Sequence, residues 1–186
     1  MDTVLGVRWC YSGGGYLILQ QLLMDVTQQS FTTLMQSLVF KPLGMTHSTF
    51  AQPLPKSLLT KAASGYREDG ELEPGRWRTI PQVAAGGLWS TSTDLASFLI
   101  EIQQSNQGQL NRIIPAARTG EMLKPQIKAR REYWSLGFNV GGQQPANWFE
   151  HGGLTDGYIS EMIGLTNQGN GIIILGSVSN SILLFQ

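Results

Sequence analysis

The apolar residues of this 186-residue chain change their spacing about two-thirds of the way along it, and this change constrains the fold most. Up to about residue 125, apart from the stretch from Gln52 to Val83, they recur every three or four residues, as they do on one face of an α-helix. From about residue 133 they form short runs rich in aromatic and β-branched residues, which is typical of strands. Helices followed by strands, without alternation, predict an α+β fold in which an antiparallel sheet packs against helices.

Four helices are predicted where apolar residues repeat at helical spacing behind N-cap residues or proline. They cover Tyr16 to Thr27, the stretch from Ser30 to Gly44, the stretch behind residues 90–94, and a short segment opened by Pro115. Gly13-Gly14-Gly15 is predicted to be a flexible hinge before the first helix, and Pro42 and Gly44 to end the second. Leu43 and Met45 are expected to fill the core.

The strand runs predict an antiparallel meander at the end of the chain. They are Tyr133 to Val140, Trp148 to His151, Tyr158 to Leu165 and Ile172 to Val178, with a turn at 167–171. The segment from Gln52 to Val83 is rich in proline, glycine and charge, and long loops of this kind in compact domains are often functional. We expect one domain over residues 1–186, helical at about 12–125, with its meander at about 133–180.

Charge and composition exclude several classes of function. Lysine plus arginine and aspartate plus glutamate are 13 each, so the chain lacks the basic excess expected of a nucleic-acid-binding protein. One cysteine and two histidines cannot assemble a Cys/His zinc cluster, and neither a metal nor a cofactor is expected. The first residues do not resemble a signal peptide, and the apolar stretches are too short to span a membrane.

Four short segments could carry chemistry. They are Tyr11-Ser12-Gly13-Gly14-Gly15-Tyr16, Lys41-Pro42-Leu43-Gly44-Met45, Ala85-Gly86-Gly87-Leu88-Trp89-Ser90-Thr91 and Glu150-His151-Gly152-Gly153. Each is weak alone: Tyr11 fits a packed aromatic near a loop, and His151 fits a structural histidine. Their order and spacing together, however, resemble the class C β-lactamase and penicillin-binding-protein-like serine hydrolases, with related esterases and D-alanyl-D-alanine peptidases, from about Arg8 to about Asn180.

This resemblance implies a β-lactamase/transpeptidase-like fold and an acyl-enzyme mechanism, in which a Ser-x-x-Lys turn supplies the nucleophile. It implies that Tyr11 is the catalytic tyrosine and that His151 opens the motif on the far wall. The N–H of Leu154 would be an oxyanion-hole donor, and Gly152 and Gly153 would let a substrate lie along the strand. Gly13 stands where the family often has a substrate-contacting asparagine. The implied partner is a small-molecule ester, peptide or β-lactam.

The main departure from the family is that no Ser-x-x-Lys occurs; Ser37 and Ser57 each have a lysine four residues on. We therefore expect a domain incomplete at both ends and inactive alone. Three interpretations stay open: a fragment of a serine hydrolase, a pseudoenzyme that binds peptidoglycan-like or ester ligands, and a scaffold with a vestigial cleft. Intact relatives are often periplasmic or secreted, but this chain does not reveal its compartment. Self-association through an exposed sheet face is also expected.

The resemblance also makes a geometric prediction. A tyrosine with a pKa near 10 is a poor base at neutral pH, so Tyr11 would need cationic neighbours, of which a protonated His151 could be one. The polar atoms of Tyr11 and His151 should lie roughly 3 to 6 Å apart or be bridged by one water. Trp77, Tyr133 and Trp148 are candidate pocket walls, although each also fits core or rim packing.

Overall fold

The computed structural model of the chain describes residue 4 and residues 6–129, 132–142 and 146–179. Within these residues the helices come first and an antiparallel sheet follows, so the predicted α+β class is confirmed. The outermost parts of the predicted domain, residues 1–3 and 180–186, lie outside the described residues.

The sheet is a meander in which each strand pairs antiparallel with the next one along the chain. Its strands are β1 (Ile127–Lys128), β2 (Tyr133–Trp134), β3 (Asn139–Gly141), β4 (Trp148–Thr155), β5 (Tyr158–Leu165) and β6 (Gly171–Gly176). β4 and β5 form the longest pair, with Thr155 opposite Tyr158 at the hairpin end and Trp148 opposite Leu165 at the other. This pair places His151 in the middle of the sheet.

Three predicted strand runs differ in extent from the structure. The last strand begins at Gly171 and ends at Gly176, instead of running from Ile172 to Val178. The run from Tyr133 to Val140 is a hairpin, because Gly137 adopts φ 101° and Ser135 donates its backbone N–H to the carbonyl of Phe138. β4 continues past His151 through both glycines to Thr155, because every residue of that stretch is paired with β5. Strand pairing in the tertiary structure therefore overrides the weak strand propensity of glycine.

The helices are named in chain order. They are α1 (Gly13–Thr27), α2 (Phe31–Met35) continued by a π-helical turn (Gln36–Phe40) into α3 (Lys41–Leu43), a 3-10 turn (Lys56–Leu58), α4 (Val83–Gly86), α5 (Ser92–Asn106) and α6 (Ala116–Met122). The predicted cap Ser30 is confirmed, and so is the prediction that Pro115 opens a helix, because it directly precedes α6. Thr91 caps α5 by accepting from the N–H of Asp94.

The predicted hinge at Gly13-Gly14-Gly15 is wrong, because these residues form the first turn of α1. Ser12 is the N-cap, and its hydroxyl accepts from the N–H of Gly15. A cap of this kind satisfies one of the free N–H groups at a helix start, which offsets the entropy that glycine loses in a helix. Tyr11 is consequently the second residue before a helix, rather than part of a mobile linker.

Pro42 does not end the second helix, contrary to the prediction. The helix widens ahead of it, and Lys41 donates its N–H to the carbonyl of Gln36, a π-type bond. A widened turn tolerates a residue that has no N–H to donate. Gly44, with φ 68°, is the residue that ends the helix, as predicted.

Two clusters of apolar side chains form the core. One joins α5, α6 and the sheet and consists of Leu99, Ile102, Leu123, Phe138, Val140, Ala146 and Phe149. The other is Phe40, Leu43 and Met45, so the prediction that Leu43 and Met45 fill the core is confirmed. Because Phe149 is fully buried two residues before His151, it fixes β4 against the helices at the point where the candidate site begins.

The long loop from Gln52 to Val83 is fixed against the β4–β5 hairpin. Tyr66 bridges Leu72 and, in parallel, Val178, so the expected strand-like character around residues 65–67 is present. Gly65 approaches the hairpin so closely that a Cβ on it would lie 3.0 Å from the Cα of Gly157. The hydroxyl of Tyr158 donates to the carbonyl of Ala63 at 2.8 Å. The loop therefore forms one wall beside the end of β4.

Candidate active site

Tyr11 and His151 come from distant parts of the chain and meet. Tyr11 precedes α1 and is 49% exposed, while His151 is half-buried in the middle of β4. Their ring centroids are 6.2 Å apart. A pair of groups at this spacing can act on one substrate atom, which is what a shared catalytic role requires.

Trp134 is a third member of this cluster, and the sequence analysis missed it. Its ring lies edge-on to both partners, with centroids 5.7 Å from Tyr11 and 5.9 Å from His151, and 5.4 Å from Trp9. The described ring contacts of Trp77, by contrast, are with Trp89 at 5.3 Å and with the guanidinium of Arg76. The sequence signal for Trp134 was a tryptophan next to a turn. That signal was not recognised, because the turn from Ser135 to Phe138 was not predicted.

The strand that carries His151 has an open edge. β3 pairs with β4 only as far as Glu150, so no described strand pairs with that side of β4 from His151 to Leu154. We call this side the open edge. Thr155 and Tyr158 close the hairpin, and such a closing pair exchanges hydrogen bonds. Because bonding alternates along an antiparallel pair, the N–H groups of Gly152 and Leu154 face the open edge.

Side chains of β5 explain the two glycines of the edge. A Cβ on Gly152 would lie 2.8 Å from Oε2 of Glu161, and one on Gly153 would lie 2.6 Å from the hydroxyl oxygen of Ser160. Any larger residue would have to displace these side chains. Gly13 is different, because a Cβ there would make an ordinary 3.7 Å contact with Ala85, so Gly13 lies where α1 meets α4.

The electrostatics of the cluster differ from the expectation of a protonated histidine. Burial lowers the pKa of His151, while a hydrogen bond to the backbone of Gly152 and the charge of Glu150 oppose this effect without reversing it. His151 is therefore neutral at pH 7 and supplies no positive charge to Tyr11. Burial, and secondarily Tyr11, raise the pKa of Tyr16.

A cavity of about 640 Å³ lies beside the end of the open edge. The loop from Gln52 to Val83 and the β4–β5 hairpin form it, and its lining is Glu68, Arg78, Thr79, Ile80, Pro81, Gln82, Leu154, Thr155, Asp156 and Ser179. Arg78 spans the two elements, with ion pairs to Asp156 at 3.0 Å and to the buried Glu73 at 3.5 Å. The lining of the cavity thus combines charged and polar residues with the apolar Ile80, Pro81 and Leu154.

No three histidine, cysteine, aspartate and glutamate side chains of the described residues are grouped so that they could hold a metal ion. None of the helices in the described part of the chain combines the length and apolarity needed to cross a membrane.

Comparison with known proteins identifies the fold. An octameric penicillin-binding protein homologue from Pyrococcus abyssi is 23% identical with a TM-score of 0.75, covering 92% of this chain and 39% of its own. A class C beta-lactamase in complex with cefoxitin is 18% identical with a TM-score of 0.80, covering 97% of this chain and 57% of its own. A D-alanine carboxypeptidase from Burkholderia cenocepacia is 20% identical with a TM-score of 0.77, covering 95% and 58%.

These identities show the fold alone, and the chain spans between 39% and 58% of the length of these three structures. No curated protein sequence matches the chain. The family model described as Beta-lactamase matches residues 2–181, which is most of the sequence. The chain therefore belongs to the beta-lactamase family.

Proposed function

We propose that this chain supplies the tyrosine-and-histidine part of an acyl-enzyme site in a serine hydrolase, and that it does not turn over substrate alone. The observation that carries the proposal is the meeting of Tyr11 and His151, 6.2 Å apart between ring centroids, beside the open edge. The absence of Ser-x-x-Lys from the sequence removes the nucleophile from this part of the site.

The groups of the site suit distinct roles. The phenol of Tyr11 exchanges a proton with the serine hydroxyl and later with the leaving group. A neutral His151 can accept a hydrogen bond from the serine hydroxyl or the leaving group, or donate one to it. It therefore orients these groups without adding charge. The N–H of Leu154, which faces the open edge, stabilises the negative charge on the substrate carbonyl oxygen. One such donor is worth roughly 3 kcal/mol of barrier.

The substrate class follows from the edge and the cavity. An extended peptide or the amide of a β-lactam can align with the open edge through the backbone of Gly152 and Leu154. The group attached to the reacting carbonyl would then enter the cavity between Arg78, Ile80 and Asp156. We infer an ester, amide or β-lactam substrate. The carboxypeptidase and the cefoxitin-bound β-lactamase of the same fold fit this range.

The second candidate is a pseudoenzyme that binds such ligands without cleaving them. It is favoured by the presence of the open edge, both glycines and the cavity in a sequence that has no Ser-x-x-Lys. Both candidates predict ligand contact at His151 and Leu154 and no turnover by this chain, so a turnover assay does not distinguish them. Binding strength does, because a binding module must hold its ligand without the help of a nucleophile.

The test combines labelling, turnover and binding on the same preparation. We expect no serine to react with a fluorophosphonate and no hydrolysis of a chromogenic short-chain ester or cephalosporin above background. In an NMR titration with cefoxitin, the Leu154 amide and the His151 ring should shift together and weakly, at millimolar concentration. Micromolar binding would favour the pseudoenzyme, whereas stoichiometric labelling of one serine would refute the proposal.

A further inference from the structure

We propose that Trp134 is a positioning residue of the site, which holds the ring of Tyr11 against that of His151 and shields the imidazole from water. This inference rests on the proposed function of the Tyr11 and His151 pair. It assigns a role to a residue that neither the family motifs nor the strand pattern singles out.

The geometry places Trp134 in contact with both partners. The three centroid separations, 5.7 Å from Trp134 to Tyr11, 5.9 Å from Trp134 to His151 and 6.2 Å from Tyr11 to His151, describe a nearly equilateral triangle. The interplanar angles of Trp134 with Tyr11 and His151 are 77° and 67°, so both contacts are edge-to-face. Edge-to-face pairs of this kind stabilise the relative position of two rings beyond the effect of the area that they bury.

Trp134 is itself held in place from two sides. Trp9 packs on it with a centroid distance of 5.4 Å. Its backbone carbonyl accepts from the N–H of Gln126, and it pairs with Ile127 and Asn139 in the neighbouring strands. Tyr11, by contrast, lies outside the sheet, just before α1, and is half exposed. A fixed ring that contacts a loosely held one restricts the latter, so Trp134 limits where the phenol of Tyr11 can lie.

The same contact explains how His151 stays out of water on a strand with an open edge. The rings of Tyr11 and Trp134 lie beside the imidazole and Met162 lies opposite it on β5, while the backbone of Gly152 and the charge of Glu150 also act on it. The last two favour a protonated ring, so its neutrality depends on burial. Trp134 has the largest apolar side chain among these groups, so removing it would let water reach the ring.

The experiment is an NMR pH titration of the two histidine rings in the full chain and in three variants. Trp134→Ala should raise the pKa of His151 toward its ordinary value of about 6.5, and Trp134→Phe should keep it lowered. Trp77→Ala is the matched control, because Trp77 contacts Trp89 and Arg76 instead. His47, whose Nδ1 lies 3.9 Å from a carboxylate oxygen of Asp94, gives the reference resonance in the same spectra.

An unchanged His151 titration in Trp134→Ala, in a chain that still melts cooperatively, would overturn the proposal. If that variant does not fold, Trp134→Leu carries the same test, with a smaller expected rise, and no rise contradicts the proposal equally. An equal shift in Trp77→Ala would also overturn it, because the effect would then be general. These readouts concern His151 alone, so their failure leaves the cefoxitin and labelling tests of the proposed function untouched.

Discussion

At the scale of single residues, burial shifts the pKa of one side chain on β4 and one on β5. Desolvation lowers the pKa of His151. It also raises the pKa of Glu161, which is next to Met162, the cross-strand partner of His151, with a further contribution from Glu150. Both groups make the stability of the fold depend on pH. The two effects have opposite signs, and each can be tested by one substitution.

The lowered pKa of His151 predicts a loss of stability in mild acid. The folded state binds a proton at His151 less readily than the unfolded state does, so the unfolded state gains protons first as the pH falls. The His151 contribution is therefore fully present above about pH 6.5 and declines below it, until the lowered pKa is reached. Urea melts from pH 8 to pH 5 measure this slope, and His151→Gln should make it shallower. An unchanged slope would contradict the account.

Glu161 predicts the reverse. Its raised pKa means that the folded state holds a proton more readily, so its ionised form at neutral pH destabilises the fold. The variant Glu161→Gln should raise the free energy of unfolding at pH 7 by about 0.5 kcal/mol, a modest value because the group is partly exposed. The gain should vanish as the pH falls below the raised pKa. A loss of stability at pH 7 would contradict this, because it would mean that the hydrogen bond from the N–H of Met162 to the Glu161 carboxylate outweighs desolvation.

At the scale of elements, the contact between the long loop and the β4–β5 hairpin depends on a glycine at the turn. Gly157 has φ 84°, and a Cβ on it would lie 2.7 Å from the Cα of Gly65. Its N–H donates to the hydroxyl of Ser179. This contact holds the loop that walls the cavity, so it links a local backbone requirement to the shape of the site.

Gly70 offers a matched control, since its φ of 83° is nearly the same but nothing lies within 4 Å of a Cβ there. We expect Gly70→Ala to cost about 1 kcal/mol, from the left-handed backbone alone. Gly157→Ala should cost about 3 kcal/mol, because a backbone clash is added. Chemical denaturation measures both values. Equal costs would mean that the loop does not need its close approach to the hairpin.

The sequence predicted the elements better than their details. Local chemistry predicted the cap Ser30, the start of α6 at Pro115 and the bounds of β5. The turn within the run from Tyr133 to Val140 could not, because it depends on the pairing of β2 with β3 and has only one glycine. The candidate site shows the same difference. The family resemblance indicated Tyr11 and His151, whereas the position of Trp134 depends on the turn that was not predicted.

At the scale of the whole molecule, large apolar surfaces are exposed. No residue of α1 is buried, and its stripe of Ile18, Leu22 and Val26 is 72%, 54% and 74% exposed. Ile172 and Ile174, on alternate positions of β6, are also exposed. The sequence predicted an apolar stripe in this helix but not that it would be uncovered, because a stripe does not reveal what packs against it.

These surfaces predict self-association in dilute buffer, since contiguous exposed apolar patches of this kind drive contacts between molecules. The variant Ile18→Lys/Leu22→Glu/Val26→Lys changes the α1 stripe without touching the site. Sedimentation velocity should show oligomers of the unchanged chain and a shift toward monomer in the variant. A monomeric unchanged chain that melts cooperatively would contradict this prediction.

The central claim is that Tyr11 and His151 meet at the open edge of β4. Nuclear Overhauser effects between their ring protons test it most directly, because such effects report protons within about 5 Å and the centroids are 6.2 Å apart. We expect cross-peaks between the rings of Tyr11 and His151, and from each of them to Trp134. They should disappear in Tyr11→Leu, apart from those between His151 and Trp134. A spectrum with assigned rings and no Tyr11-to-His151 cross-peak would contradict the account.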